Sequence, residues 1–357
     1  MIIRQIVIVL ILCVSMLGTG CSRNLGASTK AAVNPETASN PSHRNELLRR
    51  ASGLLDAARV GAKAIVAVGK QGEILRSDDS HAWRNVDSKT SQALLSVAFS
   101  DEKHGAIAGV GGTYLESADA GASWTARSIG THEDLFAVRF FEHGKGFILG
   151  AFGTLLQTDD AGKAWRAIDL NWTQLLPELS QQIGLVQPHL YGVAFSDSQH
   201  GWIVGEFGLI IGTEDGGRSW HRQAGGGMAD RQLFTIASVA PGAAVAAGQG
   251  GEILSTSGYS NHWVTSLPPN GFDIYALVPL RSNGQMLALG DLGSAYLSND
   301  AGRPDSWHSI SLARGNAAGL ADTWLAAALS GPDDFILAFG QLGIWRLALD
   351  SADNPAG

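Results

Sequence analysis

A glycine pair with two residues between recurs seven times along the chain, at Gly69/Gly72, Gly109/Gly112, Gly150/Gly153, Gly205/Gly208, Gly248/Gly251, Gly290/Gly293 and Gly340/Gly343. The second glycines follow one another at intervals of 40, 41, 55, 43, 42 and 50 residues. That spacing falls in the roughly 40–50-residue period of four-stranded propeller blades. One such sheet cannot bury both of its apolar faces alone, so the repeats must stack and close. The fold class expected is therefore all-β: a seven-bladed β-propeller with four-stranded blades.

Each repeat reads as four strands in order. Inner strands with alternating apolar residues are expected at 54–59, 95–99, 135–140, 190–195, 233–236, 274–277 and 324–329. A second strand follows, as in 146–150 and 201–205, and the glycine pair turns the chain into a third, as in 153–158 and 251–256. Between the third and fourth strands lies a recurring turn, seen best as SADAGASW (117–124), TDDAGKAW (158–165) and TEDGGRSW (213–220). A short carboxylate accepts backbone N–H bonds inside its own turn, and the glycine tolerates a left-handed backbone. The tryptophan that follows opens the outer strand and buries a large ring. Asp79, Asp119, Asp160, Asp215 and Asp300 with Trp83, Trp124, Trp165, Trp220, Trp263 and Trp307 form this structural series, Gly258 replacing the aspartate in the fifth copy. Acids repeated at equivalent turns around a ring cannot converge on one substrate, which argues against catalytic carboxylates.

The ends carry their own signals. Residues 1–20 read as a signal peptide, with Arg4, an apolar run from Ile6 to Leu12, and Gly18-Thr19-Gly20 before Cys21. This resembles a bacterial lipoprotein box, so Cys21 is the expected lipidation site, placing the protein in the cell envelope, facing the periplasm. Residues 21–42 form the lipidated N-terminus and a flexible linker, 43–349 the propeller, and 350–357 a C-terminal tail. Cleavage before Cys21 removes Cys13 and leaves no partner for an intrachain disulfide. The seventh repeat lacks an outer strand, so residues 43–52 are expected to complete that last blade from the N-terminal side.

A formal charge of −8 excludes a sequence-independent grip on nucleic-acid phosphates. Its histidines show no HxH or HExxH spacing, so no metal or other cofactor is expected.

The export signal, seven blades, GxxG turns and Asp-box turns together make the chain resemble the photosystem II stability/assembly-factor-like family of seven-bladed propellers with BNR repeats. The resemblance covers about residues 47–349. It implies a non-catalytic scaffold that binds a protein partner, an assembly chaperone for subunits of a membrane complex. Two other classes are weighed against it: small-ligand or carbohydrate binding in the propeller channel, and a sialidase-like glycoside hydrolase. The hydrolase needs an arginine cluster with a tyrosine or paired acids at the ring centre, and the early Phe/Tyr-Arg-Ile-Pro signature is absent.

In such a propeller the glycine-pair turns share one face with the links between blades, and the Asp boxes occupy the other. Length variation concentrates on the former, with extra residues at 171–189, 224–232 and 313–322. Carboxylates gather there too. Asp134, Glu206, Asp230, Asp273, Asp291 and Asp322, with Trp172 in the largest insertion, are the candidate partner-binding residues. A ring of one sign would favour a basic segment of the partner.

Overall fold

The computed structural model describes residues 53–348, apart from 185–186, 226–230, 267–270, 281–283, 311–323 and 331–334. Seven antiparallel sheets follow one another, and in each the strands pair in chain order. These are blade 1 (54–85), blade 2 (94–126), blade 3 (135–167), blade 4 (190–222), blade 5 (233–266), blade 6 (274–309) and blade 7 (325–348). The first six sheets have four strands, and the seventh has three among the described residues. The segment 43–52 expected to complete blade 7 lies outside the described residues.

Burial explains the strand order. The second strands Gly105–Gly109, Gly146–Gly150 and Gly201–Gly205 are buried at every residue, because a sheet sandwiched between two others must be apolar on both faces. The outer strands are short and exposed, two residues each at Thr125–Ala126, Arg166–Ala167 and His221–Arg222. In those blades pairing starts one residue after the tryptophan, whereas it starts on Trp83 and Trp307 in blades 1 and 6. The inner strand of blade 2, Leu94–Phe99, starts one residue earlier than expected, and that of blade 7, Leu325–Ser330, is displaced by one residue.

The core is divided among the clefts between blades, where the tryptophans act as wedges. Trp220 of blade 4 meets Phe147 of blade 3 edge-on at 6.0 Å, and Trp263 of blade 5 meets Trp202 of blade 4 at 6.1 Å. Trp83 of blade 1 meets Phe339 of blade 7 at 5.9 Å, so the same wedge closes the ring. Leu54, Ile65 and Ala67 from blade 1 share that last cluster with Leu337 and Phe339, and Arg59 donates to the Ser330 carbonyl at 2.6 Å.

Candidate functional site

The glycine-turn face is built by one contact repeated around the ring. The first glycine of every pair stands opposite the first residue of its inner strand: Leu54↔Gly69, Leu94↔Gly109, Leu135↔Gly150, Leu190↔Gly205, Leu233↔Gly248, Ile274↔Gly290 and Leu325↔Gly340. A Cβ on any of these glycines would fall on the carbonyl oxygen of the residue preceding the inner strand, for example Asp134 O at Gly150. That same carbonyl accepts the next N–H of the turn, as in Ala151 N to Asp134 O at 2.8 Å and Asp291 N to Asp273 O at 3.0 Å. The third residue of the turn then enters the left-handed region, at φ 50° for Phe152, 60° for Phe207 and 52° for Leu292. Left-handed backbone at a non-glycine residue costs of order 1 kcal/mol, which the surrounding contacts must offset. The side chain is exposed at Phe152 and Leu292, whereas Phe207 packs against the core.

Consequently this face carries exposed apolar side chains. Phe152 is 57% exposed, Leu292 54% and Leu342 50%, all at that turn position. Phe272, on the link into blade 6, joins them.

Four of the expected acids lie on this face, and two of them, Asp273 and Asp291, meet at Tyr275. Asp134 and Asp273 are half-buried and reach across to the preceding blade: Asp134 Oδ1 accepts the Gly111 N–H at 2.7 Å, and Asp273 Oδ1 accepts the Gly250 N–H at 2.8 Å. His189 holds the equivalent place before blade 4, where its Nδ1 accepts the Phe152 N–H at 3.0 Å. Each therefore caps a turn N–H of its neighbour, a bonding role that composition does not reveal. Glu206 is buried and accepts the His189 N–H at 2.8 Å. Asp291 is half-buried, with burial and then the nearby Asp273 charge raising its pKa against the Tyr275 hydroxyl bond. Asp230 and Asp322 lie outside the described residues.

Trp172 is placed differently from the rest. The insertion folds as two short helices, α1 (Trp172–Leu175) and α2 (Pro177–Ile183), with Asn171 Oδ1 accepting the Gln174 N–H at 3.1 Å at the start of α1. Trp172, Leu175 and Leu176 are buried in one cluster with Leu149, Leu155 and Leu209. The Trp172 ring thus packs on the barrel beneath Gly153 and is not a surface anchor in this conformation.

One group escaped the sequence reading. The second residue of each inner strand sits at a β-bulge, where the register shifts between first and third residues. In blades 3 to 6 that residue is Phe136, Tyr191, Phe234 and Tyr275, each partly exposed. Their rings form an arc, with centroids 5.4 Å apart for Phe136–Tyr191, 5.9 Å for Tyr191–Phe234 and 5.4 Å for Phe234–Tyr275. His189 and Phe152 extend it outward through centroid distances of 5.6 Å to Phe136 and 5.0 Å between them. At the other end the Tyr275 hydroxyl lies 3.5 Å from Asp273 Oδ2 and 3.3 Å from Asp291 Oδ2. The available signal was Phe or Tyr at one fixed strand position in four successive repeats.

The opposite face shows the Asp-box acids turned inward on their own loops. Asp119 Oδ1 accepts the Ser123 N–H at 2.9 Å, Asp160 Oδ1 the Ala164 N–H at 2.9 Å, and Asp215 Oδ1 the Ser219 N–H at 2.9 Å. Asp79 does the same for Ala82 at 2.7 Å, while Asp300 makes a 3.5 Å ion pair with Arg303. A hydroxyl two residues earlier completes the turn: Ser117, Thr158 and Thr213 each donate to the aspartate and accept the N–H of Gly121, Gly162 and Gly217. The Ser123 hydroxyl and N–H hold the Asp119 carboxyl down to about 2. Burial works upward on Asp215, yet bonds from Ser219, Thr213 and Arg218 bring it to about 2 as well. Trp124, Trp220 and Trp263 are buried, and Trp165 donates to the Tyr114 hydroxyl at 3.0 Å.

Among the described residues no three His, Cys, Asp or Glu side chains are grouped to hold a metal ion. Two histidines are tied to turn acids, His104 to Asp101 at 2.8 Å and His200 to Asp197 at 3.0 Å.

The chain is similar to known proteins in sequence and, separately, in fold. The family model described as Photosynthesis system II assembly factor YCF48 matches residues 75–189 and 178–320. The chain is 26% identical over 241 residues to the Photosystem II assembly lipoprotein Ycf48 of Synechococcus sp. (strain CC9902), an alignment covering 67% of this chain and 56% of that protein. The match therefore spans little more than half the length of that relative. A solved structure of YCF48 bound to D1 peptide superposes with a TM-score of 0.62 at 18% identity, covering 84% of this chain and 94% of the other. A GH74 xyloglucanase from Xanthomonas campestris gives a TM-score of 0.66 at 16% identity, covering 83% of this chain and 52% of that enzyme. At such identities the solved structures establish the fold alone.

Proposed function

We propose, since the chain belongs to the Photosynthesis system II assembly factor YCF48 family, that it is a non-catalytic envelope scaffold whose glycine-turn face holds a segment of a partner protein, a subunit of a membrane complex. The observation that carries this reading is the gathering of Phe152, Leu292, Leu342 and Phe272 on that one face. Spread over the turns of blades 3, 6 and 7 and the link into blade 6, they give that face the apolar contacts a bound segment would cover. The YCF48 solved with a D1 peptide supports the same kind of ligand, a segment of another polypeptide. A non-catalytic role is supported by the bonding of the Asp-box acids within their own turns.

The lipoprotein name of the Synechococcus relative supports lipidation at Cys21 and membrane attachment, with the propeller facing the periplasm. Globomycin treatment should accumulate the precursor. Processing and membrane attachment that persist in Cys21→Ala would rule lipidation out.

A photo-crosslinking residue placed at Phe152, with a control at Tyr259 on the Asp-box face, tests the binding face in the native envelope. The expected result is a discrete adduct with a membrane-protein subunit from position 152 and none from position 259, which is also exposed, at 50%. The same adduct from both positions, or from 259 alone, contradicts the proposal.

A further inference from the structure

Resting on the reading of that face as a protein-binding surface, we infer that the bound segment presents an arginine or lysine to the Asp273–Asp291 carboxylates at Tyr275, with apolar residues laid along the aromatic arc toward Phe152.

Three observations converge on this occupant. First, the two carboxylates sit against one phenolic hydroxyl, at 3.5 Å and 3.3 Å, and one proton cannot serve both. Among the described residues neither acid is in an ion pair, and the cations of this face are directed elsewhere. Lys70 lies over the Trp324 ring at 5.6 Å, and Arg231 reaches the Gly250 carbonyl at 3.4 Å. Like charges held together in a half-buried place are relieved by an incoming cation.

Second, the same spot offers the faces and edges of Phe234 and Tyr275, tilted by 33° with centroids 5.4 Å apart. A guanidinium or ammonium is attracted by such rings when it lies within about 6 Å of a centroid. Carboxylate and ring together select a cation with an apolar stem over a small hydrated ion. Third, the arc runs away from the acids over successive spacings of 5.4, 5.9 and 5.4 Å. That distance is matched by roughly five residues of extended chain at about 3.3 Å each. The arc ends at Phe152, whose ring stands off the rim. The partner's polarity is thereby fixed: positive at blade 6, apolar at blades 5 to 3.

The experiment uses the full chain in detergent and two labelled synthetic peptides, identical apart from one residue. Each carries alternating Leu and Phe over five residues, ending on arginine in one and on its neutral isostere citrulline in the other. The arginine peptide should bind on the order of tenfold more tightly, and added salt should erode only its advantage. Asp273→Asn with Asp291→Asn should bring the two peptides level; Asn keeps the oxygen that caps Gly250. Phe152→Asn with Leu292→Asn should weaken both peptides, Asn being tolerated in the left-handed turn positions. Equal binding of the two peptides, reduced by the Phe152/Leu292 variant, overturns the cation assignment and leaves the face intact. Binding that ignores both variants, or fails for both peptides, overturns the cation assignment and the face reading together.

Discussion

At the scale of single residues, the first glycine of each pair is fixed by space and not by turn geometry. Gly150→Ala forces a methyl group onto the Asp134 carbonyl, which already accepts the Ala151 N–H. Such overpacking costs about 1–3 kcal/mol, to be read as a lower urea midpoint at unchanged slope. The Asp-box acids predict a pH effect. Asp119 and Asp215 titrate near 2 in the folded protein and near 4 when unfolded. A depressed carboxyl favours the native state above its unfolded pKa, and that contribution disappears as pH falls from about 4 to about 2. Asp119→Asn with Asp215→Asn should therefore lower stability at neutral pH and flatten its further loss across that window. An unaltered slope of urea midpoint against pH would show that these turns do not set acid sensitivity.

At the scale of elements, the tryptophan wedges and the inserted helices make contrasting claims. Trp220→Ala empties a buried site between blades 3 and 4 and should cost about 3–5 kcal/mol. Trp172→Ala is expected to fall in the same range because its ring belongs to the Leu149–Leu209 cluster. Yet it should leave position 152 able to crosslink a partner, whereas a surface anchor would lose the partner and keep stability. Why the sequence predicted the wedges and left the insertion open between a rim helix and an anchor follows from repetition. Six tryptophans at one offset can only be doing one job, but 171–189 occurs once, and its apolar residues fit a helix on the rim as well as an exposed anchor. The aromatic arc was hidden for a related reason. Phe136, Tyr191, Phe234 and Tyr275 stand where alternation alone assigns a core strand, and only the bulge turns them toward the mouth. The caps made by Asp134 and Asp273 were read as charge because the N–H donors they bond lie in the preceding repeat, 23 residues away.

At the scale of the whole molecule, seven blades, their order and the two unlike faces were legible from spacing, since a closed ring leaves a regular repeat little other choice. How the seventh blade gains a fourth strand was expected from 43–52 and lies outside the described residues. If that donor is right, deleting 43–52 should raise amide exchange along Gly343–Ala348 and lower the thermal midpoint; unchanged exchange there would dismiss it. The links between blades also run in one direction. On one face Asp134, His189 and Asp273 cap the turn of the blade before, and on the other Trp220 and Trp263 wedge into the blade before. No blade is finished until its successor has left the ribosome, so the order of synthesis is also the order of closing. Each emerging repeat locks the one ahead of it, and only the first, held by Trp83 against Phe339, must wait for the last.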